Sequence, residues 1–155
     1  MTLAAVSDAG PLIHLAEIDS LELLSVFDSL VIPETVYEEI ERGNAPDWIS
    51  DLSYELVEAE EWTESEDLDA GERAALAVAR DRELVLLTDD LAARQAASDA
   101  GVEVHGCIGV IALGYTREFL ERHEAASLMR TLQRETSLFV TEAVVERGIR
   151  MLDEQ

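Results

Sequence analysis

Short apolar runs alternate along this chain with stretches of helical periodicity, and that alternation leaves few folds open. Thr2–Ser7, Leu30-Val31-Ile32, Tyr54–Glu58, Leu84–Leu87 and Val102–His105 read as strands. Helical spacing predicts helices from Pro11 to about Glu17, over Ser20–Phe27, from Glu34 to about Glu41 and over Asp69–Arg82. It predicts four more over Asp90–Ala100, Cys107–Tyr115, Arg122–Arg134 and Thr141–Asp153. Pro11 sits in a first turn, Gly43 stops a helix and Gly101 closes another. Asn44–Leu52 reads as a polar connection with one short helix at Pro46–Ile49, and Glu60–Asp67 as an acidic loop. Leu84–Leu87 is apolar throughout, as a strand covered on both faces must be. The expectation is an α/β fold with a central, mainly parallel sheet.

A length of 155 residues fits one domain. A chain of that size buries roughly two-thirds of its unfolded surface, so it needs no disulfide or structural zinc. Cys107 is the single cysteine. All eleven basic residues are arginine. With no lysine, a P-loop, a Schiff base and the strand-end lysine of receiver or haloacid-dehalogenase phosphate sites are excluded. The N-terminal segment has no signal-peptide pattern and no apolar run reaches about 18 residues, so a soluble cytoplasmic chain is expected. The net charge is −23, from 34 acidic residues spread along the chain rather than in blocks. Such self-repulsion is tolerable where screening shrinks to about 3 Å, near 1 M salt. A halophilic origin is therefore expected, and surface acidity does not exclude RNA as a substrate.

Ligands of parallel sheets bind beyond the carboxyl ends of the strands. Asp8 directly follows the first strand, and Glu38 and Glu39 lie on the helix after the second. Asp69 and Glu72 open the next helix, and Asp89 and Asp90 follow Leu84–Leu87 across Thr88. Carboxylates gathered at one edge repel one another unless a divalent cation neutralises them. Oxygen donors with no histidine or cysteine nearby suit Mg²⁺ or Mn²⁺. Such a centre serves displacement at a phosphodiester. Each acid also has a plainer role: Asp8 and Asp90 as helix caps, Asp69 with Glu72 as a capping box, Glu38 and Glu39 as a solvated face.

The chain resembles the PIN-domain family of metal-dependent ribonucleases, and within it toxin-like proteins of the VapC kind. The pieces that carry the resemblance are Val6-Ser7-Asp8-Ala9-Gly10-Pro11-Leu12, Val31-Ile32-Pro33-Glu34-Thr35-Val36-Tyr37-Glu38-Glu39-Ile40, Leu68-Asp69-Ala70-Gly71-Glu72-Arg73-Ala74 and Leu86-Leu87-Thr88-Asp89-Asp90 through Arg94. The match runs over about residues 3–115. It implies a PIN-like α/β/α sandwich, core about 1–116, with accessory C-terminal helices over about 117–155. It also implies an acidic pocket for one or two Mg²⁺ or Mn²⁺ ions. By position Asp8 is the first ligand and Glu39, ending the Val36-x-x-Glu39 pattern, the second. Glu72 stands where many relatives have Asp, one methylene longer, with Asp69 the nearby alternative. Asp90 fits the Thr-x-Asp position beside Asp89.

The resemblance further implies an RNA substrate, an antitoxin protein as partner and a homodimer. The apolar helix at Ile108–Leu113 is either a dimer surface or core. Arg94 lies four residues after Asp90 on one helix face, to orient that acid or to contact substrate phosphate. Ser7 and Thr88 are candidates for substrate or ligand hydrogen bonds, or simply satisfy backbone groups. His14, His105 and His123 are scattered, and they, Trp48, Trp62 and Cys107 are expected to be structural. The function expected is a Mg²⁺/Mn²⁺-dependent endoribonuclease. The alternative is a catalytically weak binding or regulatory module acting through a protein partner.

Overall fold

The computed structural model describes residues 3–42, 52–58, 68–138 and 140–154. The helix at Pro46–Ile49, the acidic loop Glu60–Asp67, Trp48 and Trp62 lie outside the described residues. Five strands form one parallel sheet: β1 (Ala4–Ser7), β2 (Ser29–Pro33), β3 (Glu55–Val57), β4 (Val85–Leu87) and β5 (Val104–His105). Their order is β3-β2-β1-β4-β5. The register sets Val6 beside Val31 on one side and Leu86 on the other. The chain winds outward from β1 in both directions, so the switch point lies between β1 and β4.

Alternation along each strand divides the core between two faces. Ala5, Leu30, Ile32, Val85 and Leu87 point to one face, under α1 (Ala9–Glu17), α2 (Glu34–Arg42) and α5 (Cys107–Thr116). Val6, Val31 and Leu86 point to the other, under α3 (Ala70–Arg82) and α4 (Leu91–Asp99). The layers are therefore α/β/α, with both sheet faces covered as a parallel sheet requires.

Most elements lie within a residue or two of their predicted bounds. Ser20–Phe27 differs: Leu21–Val26 is a 3₁₀ helix, and the Ser20 hydroxyl donates to the Ile18 carbonyl instead of capping. Its limits are set from both sides. Asp19 turns the chain with φ of 52°, and the Asp28 N–H is already paired with the Leu3 carbonyl at 2.7 Å. Leu23, Leu24, Val26 and Phe27 all reach the core, which the tighter helix satisfies in little chain. At the other edge, Val102 closes α4 through its N–H to the Ala97 carbonyl, so β5 keeps only two residues.

The chain after residue 117 packs inward. Helices α6 (Arg122–Glu135) and α7 (Glu142–Asp153) bury Ala125, Met129, Leu132, Val145, Ile149 and Leu152 in the same cluster as Val110 and Ile111 of α5. Within the apolar stretch Ile108–Leu113, Val110, Ile111 and Ala112 are thus core, while Ile108 and Leu113 are part-buried against it. Gly148 sits at the tightest point, where a Cβ would come 2.7 Å from Ile108 Cγ2. Leu152 is 1% exposed. Leu152→Ala should therefore cost about 2–5 kcal/mol of stability, read by urea unfolding at fixed KCl concentration. A loss under about 1 kcal/mol would mean that α7 is dispensable to the core. Among the described residues no helix is long and apolar enough to cross a membrane.

Candidate functional site

The carboxyl ends of β1 and β4 and the first turns of α3 and α4 meet at the switch point. Asp8 follows β1 directly, and its N–H still pairs with the Leu87 carbonyl at 2.9 Å, so the residue is held by the sheet. It caps α1: Oδ1 accepts from the Ala9 N–H at 2.8 Å. Oδ2 accepts from the Thr88 hydroxyl at 3.0 Å, and Thr88 Oγ1 accepts from the Asp90 N–H at 3.2 Å. One buried threonine thus ties the acid after β1 to the loop after β4. Asp8 is 7% exposed, and burial, with Asp69 and Glu39 nearby, raises its pKa from the ordinary 3.8 to about 6 despite the two hydrogen bonds.

Asp69 and Glu72 form the expected capping box on α3. The Glu72 N–H donates to Asp69 Oδ1 at 2.8 Å and the Asp69 N–H to Glu72 Oε1 at 3.0 Å. The box also borders the pocket, since the charge of Asp69 acts on Asp8 and that of Asp8 on Glu72. Burial raises Glu72 from 4.5 to about 8, aided by a hydrogen bond to Asp90 and by the charges of Asp69 and Asp8. Asp90 caps α4, its Oδ2 accepting from the Ala93 N–H at 2.9 Å. Glu39 comes from α2 and accepts from the Gly71 N–H at 3.0 Å. Burial and Asp69 raise its pKa too. Glu38, one residue earlier, is exposed.

Asp8, Glu39, Asp69, Glu72 and Asp90 are therefore brought together, and Asp89 is not. Its Oδ1 accepts from the Cys107 N–H at 2.9 Å and its Oδ2 lies 3.0 Å from the Cys107 thiol, so it faces the start of α5. Burial and this carboxylate push the thiol pKa up. Arg94 leans the same way: a Cβ on Gly106 would meet Asp89 Oδ1 at 2.5 Å and Arg94 Nη1 at 2.6 Å. Among the described residues no ion pair joins Arg94 to Asp90. The Ser7 hydroxyl is fully buried and donates to the Asp8 carbonyl at 2.8 Å. His14 belongs to a separate link, with Nδ1 3.0 Å from Glu17 Oε1, while the Ser137 hydroxyl donates to that same oxygen at 2.9 Å.

In donor type the set suits a hard divalent cation. Five carboxyl groups from four segments converge, no histidine or cysteine is among them, and three are held above their ordinary pKa by burial and by each other. A bound dication would relieve that repulsion. No three of these five acids bring ligand atoms within 4.8 Å of one another; among the described residues that spacing is met by Glu121, His123 and Glu124, wholly exposed at the start of α6. Glu121 and Glu124 are engaged there in that helix's own capping box.

The fold is thus a doubly wound parallel sheet with an acidic cluster at its switch point. A family model described as DUF3368, a PIN domain, matches residues 4–154, and the chain belongs to the PIN-domain family. PIN domains are generally nucleases and typically use divalent metal ions. Among solved structures, the chain is similar to a PilT N-terminus domain protein from the hyperthermophilic archaeon Sulfolobus solfataricus P2. The TM-score is 0.60 at 17% identity, over 71% of this chain and 92% of the other, which is a likeness of fold. Comparison with curated proteins gives no match.

Proposed function

We propose that this chain is a metal-dependent endoribonuclease, the toxin half of a toxin–antitoxin pair, working in the cytoplasm of a salt-adapted cell. The observation that carries the nuclease reading is the convergence of Asp8, Glu39, Asp69, Glu72 and Asp90 at the switch point with three raised pKa values. The toxin role, the antitoxin partner and a homodimer rest on the VapC resemblance. Residues 1–155 are read as one domain, supported by the core that α6 and α7 share with α5.

Asp8, Glu39 and Asp90, with Glu72 or Asp69, would hold one or two Mg²⁺ or Mn²⁺ ions. When bound, such ions supply an activated water and charge stabilisation for in-line displacement at phosphorus. The chain's own part is preorganisation. One oxygen each of Asp8, Glu39 and Asp90 is fixed by a backbone N–H, from Ala9, Gly71 and Ala93. The carboxylates therefore need little reordering when substrate arrives. Thr88 holds Asp8 and the Asp90 backbone in one frame. Arg94, on α4 near Asp89 and Gly106, is the candidate contact for a substrate phosphate. Asp89 holds the start of α5, and Ser7 holds the backbone at Asp8. Water replaces the 3′-oxygen on phosphorus, leaving a 5′-phosphate and a 3′-hydroxyl.

The test is RNA cleavage at molar KCl in Mn²⁺, Mg²⁺ or EDTA. Cleavage with either ion, those end groups, and none in EDTA is the expected result. Undiminished cleavage in EDTA would overturn it. Folded protein that cuts none of several RNAs, yet binds a neighbouring-gene product tightly, would favour the binding-module reading.

A further inference from the structure

Gly71 occupies the second position of α3, after the Asp69 cap and before Glu72. Glycine is a poor helix former, by about 1 kcal/mol against alanine in a helix interior. Its backbone gives no reason for it, since among the described glycines only Gly101 has a left-handed φ. The reason lies across the pocket. A Cβ on residue 71 would stand 2.4 Å from Glu39 Oε1, 2.8 Å from Cδ and 2.9 Å from Oε2. The missing methyl is the space the Glu39 carboxylate fills, and the Gly71 N–H donates into that space at 3.0 Å.

We infer that Gly71 is a positioning residue: its bare Cα and its N–H form a seat matched in size to glutamate at 39. Seat and side chain together set one wall of the acidic pocket. The inference rests on reading Glu39 as a metal ligand. It goes beyond it by assigning that ligand's placement to a residue with no side chain. The struck atoms in Gly71→Ala are the end of a flexible side chain, so Glu39 would swing aside and the fold would tolerate the change.

The experiment compares wild type, Gly71→Ala, Glu39→Asp and the double variant. Mn²⁺ binding is read by calorimetry, and hydrogen exchange of the residue 71 amide is read in EDTA. Gly71→Ala should melt within a few degrees of wild type. It should bind Mn²⁺ about 10–100-fold more weakly, as misplaced support around a metal ligand does. Its residue 71 amide should exchange at least about tenfold faster. Glu39→Asp alone should also weaken binding, because the shorter side chain no longer reaches the seat. In the double variant the withdrawn carboxylate makes room for the methyl, so the two losses should be less than additive.

Wild-type Mn²⁺ affinity in Gly71→Ala, or losses that simply add, would overturn the inference. A wild type that binds no Mn²⁺ but protects the residue 71 amide, with protection lost in Gly71→Ala, would keep the seat and sink the nuclease reading. An unprotected amide in wild type would sink the seat alone.

Discussion

Asp8→Asn should abolish metal-dependent RNA cleavage and, in EDTA at pH 8, make the protein more stable than wild type. The first effect follows from the position. Asp8 directly follows β1 at the switch point, and its two oxygens are aimed by Ala9 and Thr88. A neutral amide there removes a charge that a divalent ion needs. The several kcal/mol such an ion lends to the transition state correspond to about a thousandfold in rate or more. The second effect follows from burial. The pKa of Asp8 rises from 3.8 to about 6, so ionised Asp8 destabilises the metal-free fold by at most about 3 kcal/mol at pH 8. Asparagine carries no such penalty at any pH, so the gain should vanish near pH 4. Cleavage assays and urea unfolding of one preparation test both. Retained cleavage would remove Asp8 from the chemistry, and a less stable variant at pH 8 would contradict the electrostatics.

The melting temperature of the wild type in EDTA should fall as pH rises from 5 to 9, and Mn²⁺ should restore it at pH 8. The sign follows from raised carboxyl pKa values. The stability carried by protonated Asp8 is complete below about 3.8 and is lost as pH rises through about 6. That carried by Glu72 is complete below about 4.5 and is lost through about 8, and Glu39 shifts in the same direction. Ordinary carboxylates are ionised well before pH 6, so the other acids contribute little above it. A loss of about 2–3 kcal/mol would move the midpoint by roughly 5–10 °C. A divalent ion binds the ionised carboxylates and displaces their protons, so its benefit should be large at pH 8 and small at pH 5. Calorimetric scans at one fixed KCl concentration measure this. The Asp8→Asn, Glu72→Gln double variant should flatten the profile, which separates the pocket from His14, His105 and His123. A flat wild-type profile would mean that the cluster carries no strain.

Much of this was legible along the chain because apolar periodicity and caps are local signals. Val6, Val31 and Leu86 were readable as buried strand residues, and the structure puts them on one face of the sheet. Asp69 and Asp90 were readable as helix caps, and they cap. The choice between cap and pocket acid was false for both: a helix start placed at the switch point turns its cap toward the pocket. The 3₁₀ helix at Leu21–Val26 was not legible, because its length is set by how soon β2 must pair with β1. The orientation of Asp89 was not legible either. Adjacent residues leave a strand end in different directions, and only the start of α5 decides which one is taken.

The sequence alone determined the α/β alternation, the exclusion of lysine chemistry, the oxygen-only character of the donor set and the candidate acids. Each depends on residue type and near neighbours. Tertiary structure decided which acids meet. Asp8 and Thr88 are 80 residues apart and Glu39 and Gly71 are 32 apart, yet both pairs are hydrogen-bonded. It also decided that Val110, Ile111 and Ala112 are core, because α6 and α7 return to pack against α5. Contacts of that kind depend on strand order and on the room that one missing methyl leaves, and neither is written in any local stretch of the chain.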